Sequence, residues 1–154
     1  MAAVLQHPLL PLIQAIYSVL GVTVDPADGD AQAEQMIMRK SYFELLDSIV
    51  KNKCTGVFIS PQNIGSCENI LQTLAQGASE GGDPKIQRAC ITLMKKLAAQ
   101  WLGKGVFPGI EQFMFNGAVP ACFRCLQRQE FDVRDGEYYF VLKEVASLLH
   151  GMHV

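Results

Sequence analysis

The sequence lacks a long apolar run, a net positive charge and the short motifs of common enzyme classes. No run of about 18 apolar residues occurs, so no membrane-spanning helix and no membrane partner are predicted. The formal net charge of -2 gives no overall attraction to nucleic acid, and such binding would require a local basic patch. Gly-rich phosphate loops, H-E-x-x-H and G-x-S-x-G are missing, so we expect no enzymatic activity.

The five cysteines are an odd number, which does not suit a disulfide framework. Four of them fall in or beside predicted helices among other core residues, which is typical of reduced, buried thiols in an intracellular protein. The apolar N-terminal segment has no basic region and contains Pro8 and Pro11, so we predict no secretory signal. Disorder is not expected either, because 49% of the residues are hydrophobic.

The clearest predicted element is a helix from Asp83 to Trp101. Asp83 can accept a hydrogen bond from the free N–H groups of a first turn, and Pro84 suits the first helical position. Apolar residues then recur at helical spacing and predict one buried face: Ile86, Cys90, Leu93, Leu97 and Trp101. Gly103 and Gly105 end the helix. Such a helix has to bury its apolar face against other helices.

Five further helices follow from the same spacing. Helix one is predicted at about 8–20, helix two at 32–53, helix three from Ser60-Pro61 with Ile64 on its buried face, helix five from Phe107-Pro108, and helix six after Asp132. Helix one carries no charge, which predicts burial on both sides. Pro120 lies inside helix five and predicts a kink at Val119. The only β-like segment, 55–59, is too short to form a sheet.

These helices form three consecutive pairs, at about 8–53, 61–102 and 108–150. Helices three and four are expected to be antiparallel because only a short turn joins them. The period of the pairs predicts an all-α, HEAT-like α-solenoid. We expect residues 1–154 to form a single HEAT-like segment, part of a longer solenoid.

Basic residues concentrate on the second helix of each pair, which carries ten of the thirteen Lys and Arg residues. In a stacked array, second helices line one surface, usually the concave one, and a basic surface can follow a phosphate backbone. Acidic residues on the same helices dilute this patch, so an ordinary solvated face is the alternative. The candidate phosphate-binding residues are Arg39, Lys40, Arg88, Lys95, Lys96 and Lys143.

Metal or redox chemistry is an alternative that the spacing does not favour. Cys122 and Cys125 form a C-x-x-C, and His150 and His153 form an H-x-x-H, but 24 residues separate the pairs, unlike a zinc finger. The helical register places Cys122 in the core and Cys125 outside it. The acidic loop at 25–30 lacks the full ligand set of a calcium loop. We therefore predict no metal and no cofactor.

Several segments in the same order resemble one known family. They are QMIMRKSYFELLDSIV at 35–50, ENILQTLAQGA at 68–78, DPKIQRACITLMKKLAAQW at 83–101 and VPACF…FD within 119–132. The chain resembles the C-terminal HEAT-repeat region of the exportin-T family, which are importin-β-type (karyopherin) nuclear transport receptors for tRNA. Only the ordered set of segments is specific, since none is diagnostic alone.

The resemblance implies a solenoid that wraps tRNA together with Ran-GTP, reads RNA shape and backbone, and releases its cargo in the cytoplasm. It implies shuttling between nucleus and cytoplasm, contact with nuclear pore proteins, and Ran binding mainly through repeats absent from this chain. The remaining alternative is a helical-repeat scaffold that binds only proteins. In that case apolar anchors such as Trp101, Phe107 and Phe115 would carry the affinity.

Overall fold

The computed structural model describes residues 2–80 and 82–152, with side chains from Val4 onward. The elements in order are α1 (Ala2–Leu20), α2 (Gly29–Lys51), a 3₁₀ turn (Thr55–Val57), α3 (Ile64–Glu80), α4 (Pro84–Trp101), α5 (Ile110–Phe113), a π-helical segment (Met114–Ala118), α6 (Val119–Leu126) and α7 (Gly136–Gly151). No β-strand occurs in these described ranges. The prediction of an all-α helical-repeat fold is confirmed.

The chain divides into two compact units, with the boundary between Ser66 and Cys67 in the first turn of α3. The first unit contains α1, α2 and the 3₁₀ turn, and the second contains most of α3 and everything after it. The expectation that 1–154 forms one HEAT-like segment stays a prediction.

In the first unit, α2 begins at Gly29, earlier than the predicted start near residue 32, because Asp28 caps it. The Asp28 carboxylate accepts a hydrogen bond from the Ala31 N–H at 3.0 Å. The Asp25 carboxylate accepts one from the Ala27 N–H at 2.9 Å. Within the acidic loop, Asp25 therefore stabilises a turn and Asp28 caps the start of α2.

The two helices of this unit contact each other through tyrosines. The Tyr17 and Tyr42 hydroxyls are hydrogen-bonded at 2.8 Å, and their rings meet edge to face. The start predicted for α1, near residue 8, is wrong, because the helix extends from Ala2 through Pro8 and Pro11, both of which are exposed. Carbonyls that lose a partner at these prolines can bind water on that side.

Burial of α1 on both sides is also a wrong prediction. Leu9, Ile13 and Ile16 are buried, as the apolar spacing predicts. By contrast, Leu12 is 46% exposed and Val19 is 44% exposed. The helix therefore packs through one side only, and its outer side is exposed although it carries no charged residue.

The connection after α2 is a compact turn held by hydrogen bonds from side chains to the backbone, and it is not an extended segment. Residues 55–57 form a 3₁₀ turn where the sequence looks β-like. The Ser60 hydroxyl donates to the Val57 carbonyl oxygen at 2.9 Å, and the Asn63 amide donates to the same oxygen at 3.0 Å. Ser60 is thus engaged in the preceding turn and does not cap α3, which begins at Ile64. Ile64 itself is 46% exposed, contrary to the prediction.

The second unit is built on α4, whose predicted start and buried face are confirmed. The Asp83 carboxylate accepts a hydrogen bond from the Lys85 N–H at 2.8 Å, and Pro84 occupies the first turn. Every residue of the predicted apolar face is buried: Ile86, Cys90, Leu93, Leu97 and Trp101. Gly103, with φ of 71°, follows the helix end, where a left-handed backbone favours glycine.

The predicted helix five is one helical run with an irregular centre. Its regular part begins at Ile110, and the five residues Met114–Ala118 form a π-helical segment directly before α6. The wider turn lies next to Pro120, whose nitrogen has no hydrogen to donate. The irregularity therefore ends at Ala118, one residue before Val119, the position predicted for the kink.

Within the described residues, no helix has the length and apolar character needed to cross a membrane.

Candidate nucleic-acid interface

The helices α4 and α7 lie side by side and run parallel. Arg88, near the start of α4, contacts Phe140, near the start of α7. One to two turns further along both helices, Lys95 contacts Glu144 and Ser147. The partners therefore advance together along the two helices. This arrangement suits second helices of successive repeats, which run in the same direction.

Two exposed aromatic rings lie among cations at this pair of helices. The guanidinium carbon of Arg88 lies 4.8 Å from the centre of the Phe140 ring. The Lys143 ammonium lies 5.7 Å from the centre of the Tyr139 ring and 5.9 Å from that of Phe140. Tyr139 is 49% exposed and Phe140 is 43% exposed. We call these four residues the cation–aromatic cluster.

Lys95 is held by an ion pair on the same face. Its ammonium lies 2.6 Å from a Glu144 carboxylate oxygen and donates to the Ser147 hydroxyl at 3.3 Å. Both members of the ion pair are largely shielded from solvent, with side-chain exposures of 31% and 20%. A carboxylate at this distance offsets most of the field that Lys95 would present to a phosphate.

The remaining predicted residues are distributed over both units. Lys96 is half-buried on α4, next to Lys95. Arg39 is half-buried and Lys40 exposed on α2, in the first unit. The structure therefore brings Arg88 and Lys143 together around the Phe140 ring, while the roles of Lys96, Arg39 and Lys40 stay predictions.

The cluster combines the two kinds of group that bind unpaired nucleic acid. Guanidinium and ammonium groups attract phosphates, and partly exposed aromatic rings offer contact surface to bases. The rings also hold the cations in place, because a cation over an aromatic face is attracted by its quadrupole. The arrangement is thus suited to a polyanion that carries exposed rings.

Comparison with known protein families gives a match that covers nearly all residues. A sequence model described as Exportin-T matches residues 1–153. The chain belongs to the exportin-T family. The resemblance predicted from the sequence is therefore confirmed. No solved structure matches the exportin-T family chain significantly.

Similar exportin-T proteins come from distant organisms. The chain is 34% identical over 150 residues to Exportin-T from Homo sapiens, which covers 97% of this chain and 16% of that protein. It is 31% identical to Exportin-T from Danio rerio, with the same coverage of both proteins. Exportin-T from Mycosarcoma maydis is 30% identical over 154 residues, covering 95% of this chain and 14% of that protein. The chain thus spans about one sixth of the length of the curated relatives it matches.

The C-x-x-C of this exportin-T family chain lies in the core. Cys122 and Cys125 are both buried, so the placement of Cys125 outside the core is wrong. Residues three apart share a helix face, and that face includes both sulfur atoms. Burial raises the pKa of Cys122 to about 12 and that of Cys125 to about 11. Both sulfurs therefore remain thiols at neutral pH and are poor nucleophiles.

The alternative metal site combines Cys122 and Cys125 with His150 and His153. Among the described residues, no three His, Cys, Asp or Glu side chains are placed to hold a metal ion. His150 is exposed near the end of α7, and His153 lies outside the described residues.

Two of the three proposed protein-binding anchors are core residues. Trp101 is 2% exposed and Phe107 is 7% exposed, and their ring centres lie 6.0 Å apart. Their assignment as surface anchors is therefore wrong, because both rings are buried and pack against each other. Phe115 is 62% exposed and remains available.

The two aromatic residues of the cluster, Tyr139 and Phe140, are not among the site residues predicted from the sequence. A signal was present, because Tyr138, Tyr139 and Phe140 are consecutive and a helix cannot bury three neighbouring side chains on one face. Once Tyr138 is assigned to the core side, the other two rings must lie closer to solvent.

Proposed function

We propose that this chain is a segment of a nuclear export receptor for tRNA and that the cation–aromatic cluster contacts the RNA. Membership of the exportin-T family supports the receptor role. The observation that carries RNA contact is the position of Arg88 and Lys143 beside two exposed rings. Cations that are already ordered by packing lose less conformational freedom when they bind phosphate.

The six predicted cations are proposed to contribute unequally. Arg88 and Lys143 contribute most, because both belong to the cluster. Lys95 contributes less, because Glu144 neutralises it. Lys96, Arg39 and Lys40 are proposed as further phosphate contacts. Shape and backbone contacts of this kind are the usual way in which a protein recognises a folded RNA.

The rest of the transport cycle is proposed from the family. In the full receptor, Ran-GTP would bind mainly through regions outside this chain and load the tRNA, and the complex would shuttle between nucleus and cytoplasm through nuclear pore proteins. The chain would act by binding and release, without catalysis and without a cofactor.

The test is a titration of folded tRNA against the 154-residue chain at four salt concentrations. Arg88→Ala combined with Lys143→Ala removes two phosphate contacts, so the slope of log affinity against log salt should fall by about 1.5. Lys95→Ala combined with Lys96→Ala should lower the slope by a smaller amount.

The matched control is Lys51→Ala combined with Lys53→Ala. It removes the same charge from the first unit, outside the predicted contacts, and should leave the slope close to that of the parent chain. An unchanged slope in the Arg88 and Lys143 variant would show that the cluster is not the contact.

The second candidate function is a helical-repeat scaffold that binds only proteins. The observation that favours it is the exposure of Phe115 at 62% and of Phe123 at 50% on the helical run 110–126. Aromatic residues of this kind are common anchors of protein interfaces. Affinity for a protein partner would then depend little on salt and would fall when Phe115 is replaced by Ala.

A further inference from the structure

A groove of about 540 Å³ lies within the second unit, between α3 and the segment 107–124. One wall carries Glu68, Gln72, Gln76 and Glu80 of α3, and the facing wall includes Gln112 and Asn116. We call it the amide groove. Its volume is in the range of ligand sites in proteins. Neither the cation–aromatic cluster nor Phe115 and Phe123 line it.

A hydrogen bond lies beside one end of the groove. The Arg128 guanidinium, just after α6, donates to the carbonyl oxygen of Ser79 at 3.1 Å, in the last turn of α3. The same guanidinium pairs with Glu130 at 2.9 Å. This contact links the last turn of α3 to the segment that follows α6, beside the groove.

The polar side chains of α3 recur at every fourth residue, and this spacing matches an extended peptide. Four helical residues rise about 6 Å. Two residues of an extended chain span about 6.6 Å, which places every second backbone amide opposite a new side chain. From Glu68 to Glu80 the wall is about 18 Å long, enough for five or six extended residues.

The carboxamides in the groove can pair with a peptide backbone. Each amide of Gln72, Gln76, Gln112 and Asn116 offers both a donor and an acceptor, as does each peptide unit. An extended segment has free N–H and C=O groups on both edges, so walls with amides on both sides can satisfy them. Pairing to the main chain also leaves the peptide's side chains free to set specificity.

Two glycines keep aromatic rings flat against the facing wall. A Cβ atom added to Gly117 would lie 2.9 Å from a ring carbon of Phe113, and one added to Gly109 would lie 3.0 Å from a ring carbon of Phe107. Both rings line the groove. Any larger residue at these positions would push a ring outward. Gly117 lies in the π-helical segment, a type of turn that is frequent at functional sites.

The charges in the groove select the class of ligand. The α3 wall carries the carboxylates of Glu68 and Glu80, and among the groove-lining residues only Arg124 is a cation. Glu80 also accepts a hydrogen bond from the Gln76 amide at 3.2 Å, which orients both side chains. A net negative groove repels phosphate and attracts lysine or arginine. An RNA strand is therefore disfavoured.

We propose that the amide groove binds an extended peptide segment that contains at least one lysine or arginine. The segment pairs its backbone with the carboxamides, places its cation near Glu68 or Glu80, and packs an apolar side chain on Phe113. This site is separate from the proposed tRNA contact, which uses the cluster on α4 and α7.

The test is selection of a random seven-residue peptide library, displayed on phage, against the 154-residue chain. Selected peptides should be enriched in lysine or arginine and should bind in isolation. Gln72→Ala combined with Gln76→Ala should weaken the best selected peptide at least tenfold. Gly117→Ala should also weaken it, because the displaced Phe113 ring would narrow the groove.

The matched control is Gln127→Ala combined with Gln129→Ala, which removes two exposed carboxamides outside the groove and should leave peptide affinity unchanged. Circular dichroism checks that each variant keeps its helix content. If Gly117→Ala loses helix content, the variant in which the exposed Gln72 and Gln76 are replaced decides the test. An eight-nucleotide single-stranded RNA should not compete. Absence of basic enrichment, equal binding by the Gln72 and Gln76 variant, or displacement by RNA would overturn the proposal.

Discussion

The guanidinium carbon of Arg88 on α4 lies 4.8 Å from the centre of the Phe140 ring on α7. This contact joins residues 52 positions apart and belongs to the same parallel alignment as the ion pair of Lys95 with Glu144. It therefore has two consequences: it contributes to the packing of the two helices, and it holds a cation beside an exposed ring.

A double-mutant cycle measures how much the contact between Arg88 and Phe140 stabilises the packing of the two helices. Arg88→Ala and Phe140→Ala, alone and together, should show a coupling free energy of about 0.5–1 kcal/mol in urea unfolding, as expected for an exposed cation–π pair. The cycle of Arg124→Ala with Phe140→Ala is the control, since Arg124 lines the amide groove, and its coupling should be close to zero. Equal couplings in both cycles would contradict the assignment.

Glu144→Gln tests the restraint on Lys95. The neutral side chain no longer offsets the ammonium, so tRNA affinity should rise and its dependence on salt should become steeper. Stability should fall by less than about 1 kcal/mol, because isolated ion pairs near the surface contribute little. Glu111→Gln makes the same charge change on α5 and should leave the salt slope unaltered. A rise of equal size in both variants would indicate a general charge effect.

Two glycines of different backbone conformation should respond to alanine in opposite directions. Gly103 has φ of 71°, so Gly103→Ala should lower the free energy of unfolding by about 1–2 kcal/mol. Gly136 begins α7 with ordinary φ and no atom within 4 Å of an added Cβ, so Gly136→Ala should raise it by about 0.4–1 kcal/mol. Urea unfolding measures both, and a stabilised Gly103→Ala variant would refute the left-handed turn.

The buried thiols should be unreactive and should make stability depend on pH. The pKa of Cys122 is raised to about 12 and that of Cys125 to about 11. At pH 8 only about one Cys125 side chain in a thousand is ionised, so labelling by a thiol reagent should require unfolding. The unfolded chain loses these protons near pH 9 and the folded chain retains them, so stability should fall as pH rises from about 9 to 11.

The control for the thiols is the variant Cys122→Ala with Cys125→Ala. It should be less stable at pH 7 because it leaves cavities, and its stability should decline less steeply between pH 9 and 11. Rapid labelling of the folded parent chain at pH 8 would contradict the burial.

The start of a helix could be predicted from the sequence where the capping residues act only on the turn that follows them. Asp83 and Pro84 start α4 because a carboxylate and a proline act on the turn that directly follows them. Ser60 and Pro61 carry the same signal, but the Ser60 hydroxyl donates to Val57 and α3 starts at Ile64. A competing acceptor in the preceding turn is visible only when the chain is folded.

The candidate site was likewise predictable only in part. Helical spacing placed the cations on α4 and α7, but it could not show that Lys95 meets Glu144 or that Arg88 meets Phe140, because both contacts join residues about 50 positions apart. It also could not show that the Trp101 and Phe107 rings pack against each other.

The sequence by itself determined the all-α class, the buried face of α4 and the exportin-T family, because caps, helical period and ordered segments are properties of the chain within a few turns. Only the tertiary structure decided which cations are neutralised, which aromatic rings remain exposed and where two helices leave a groove between them. The physical reason is that charge pairing and burial depend on distances between elements, and those distances are set when the helices pack.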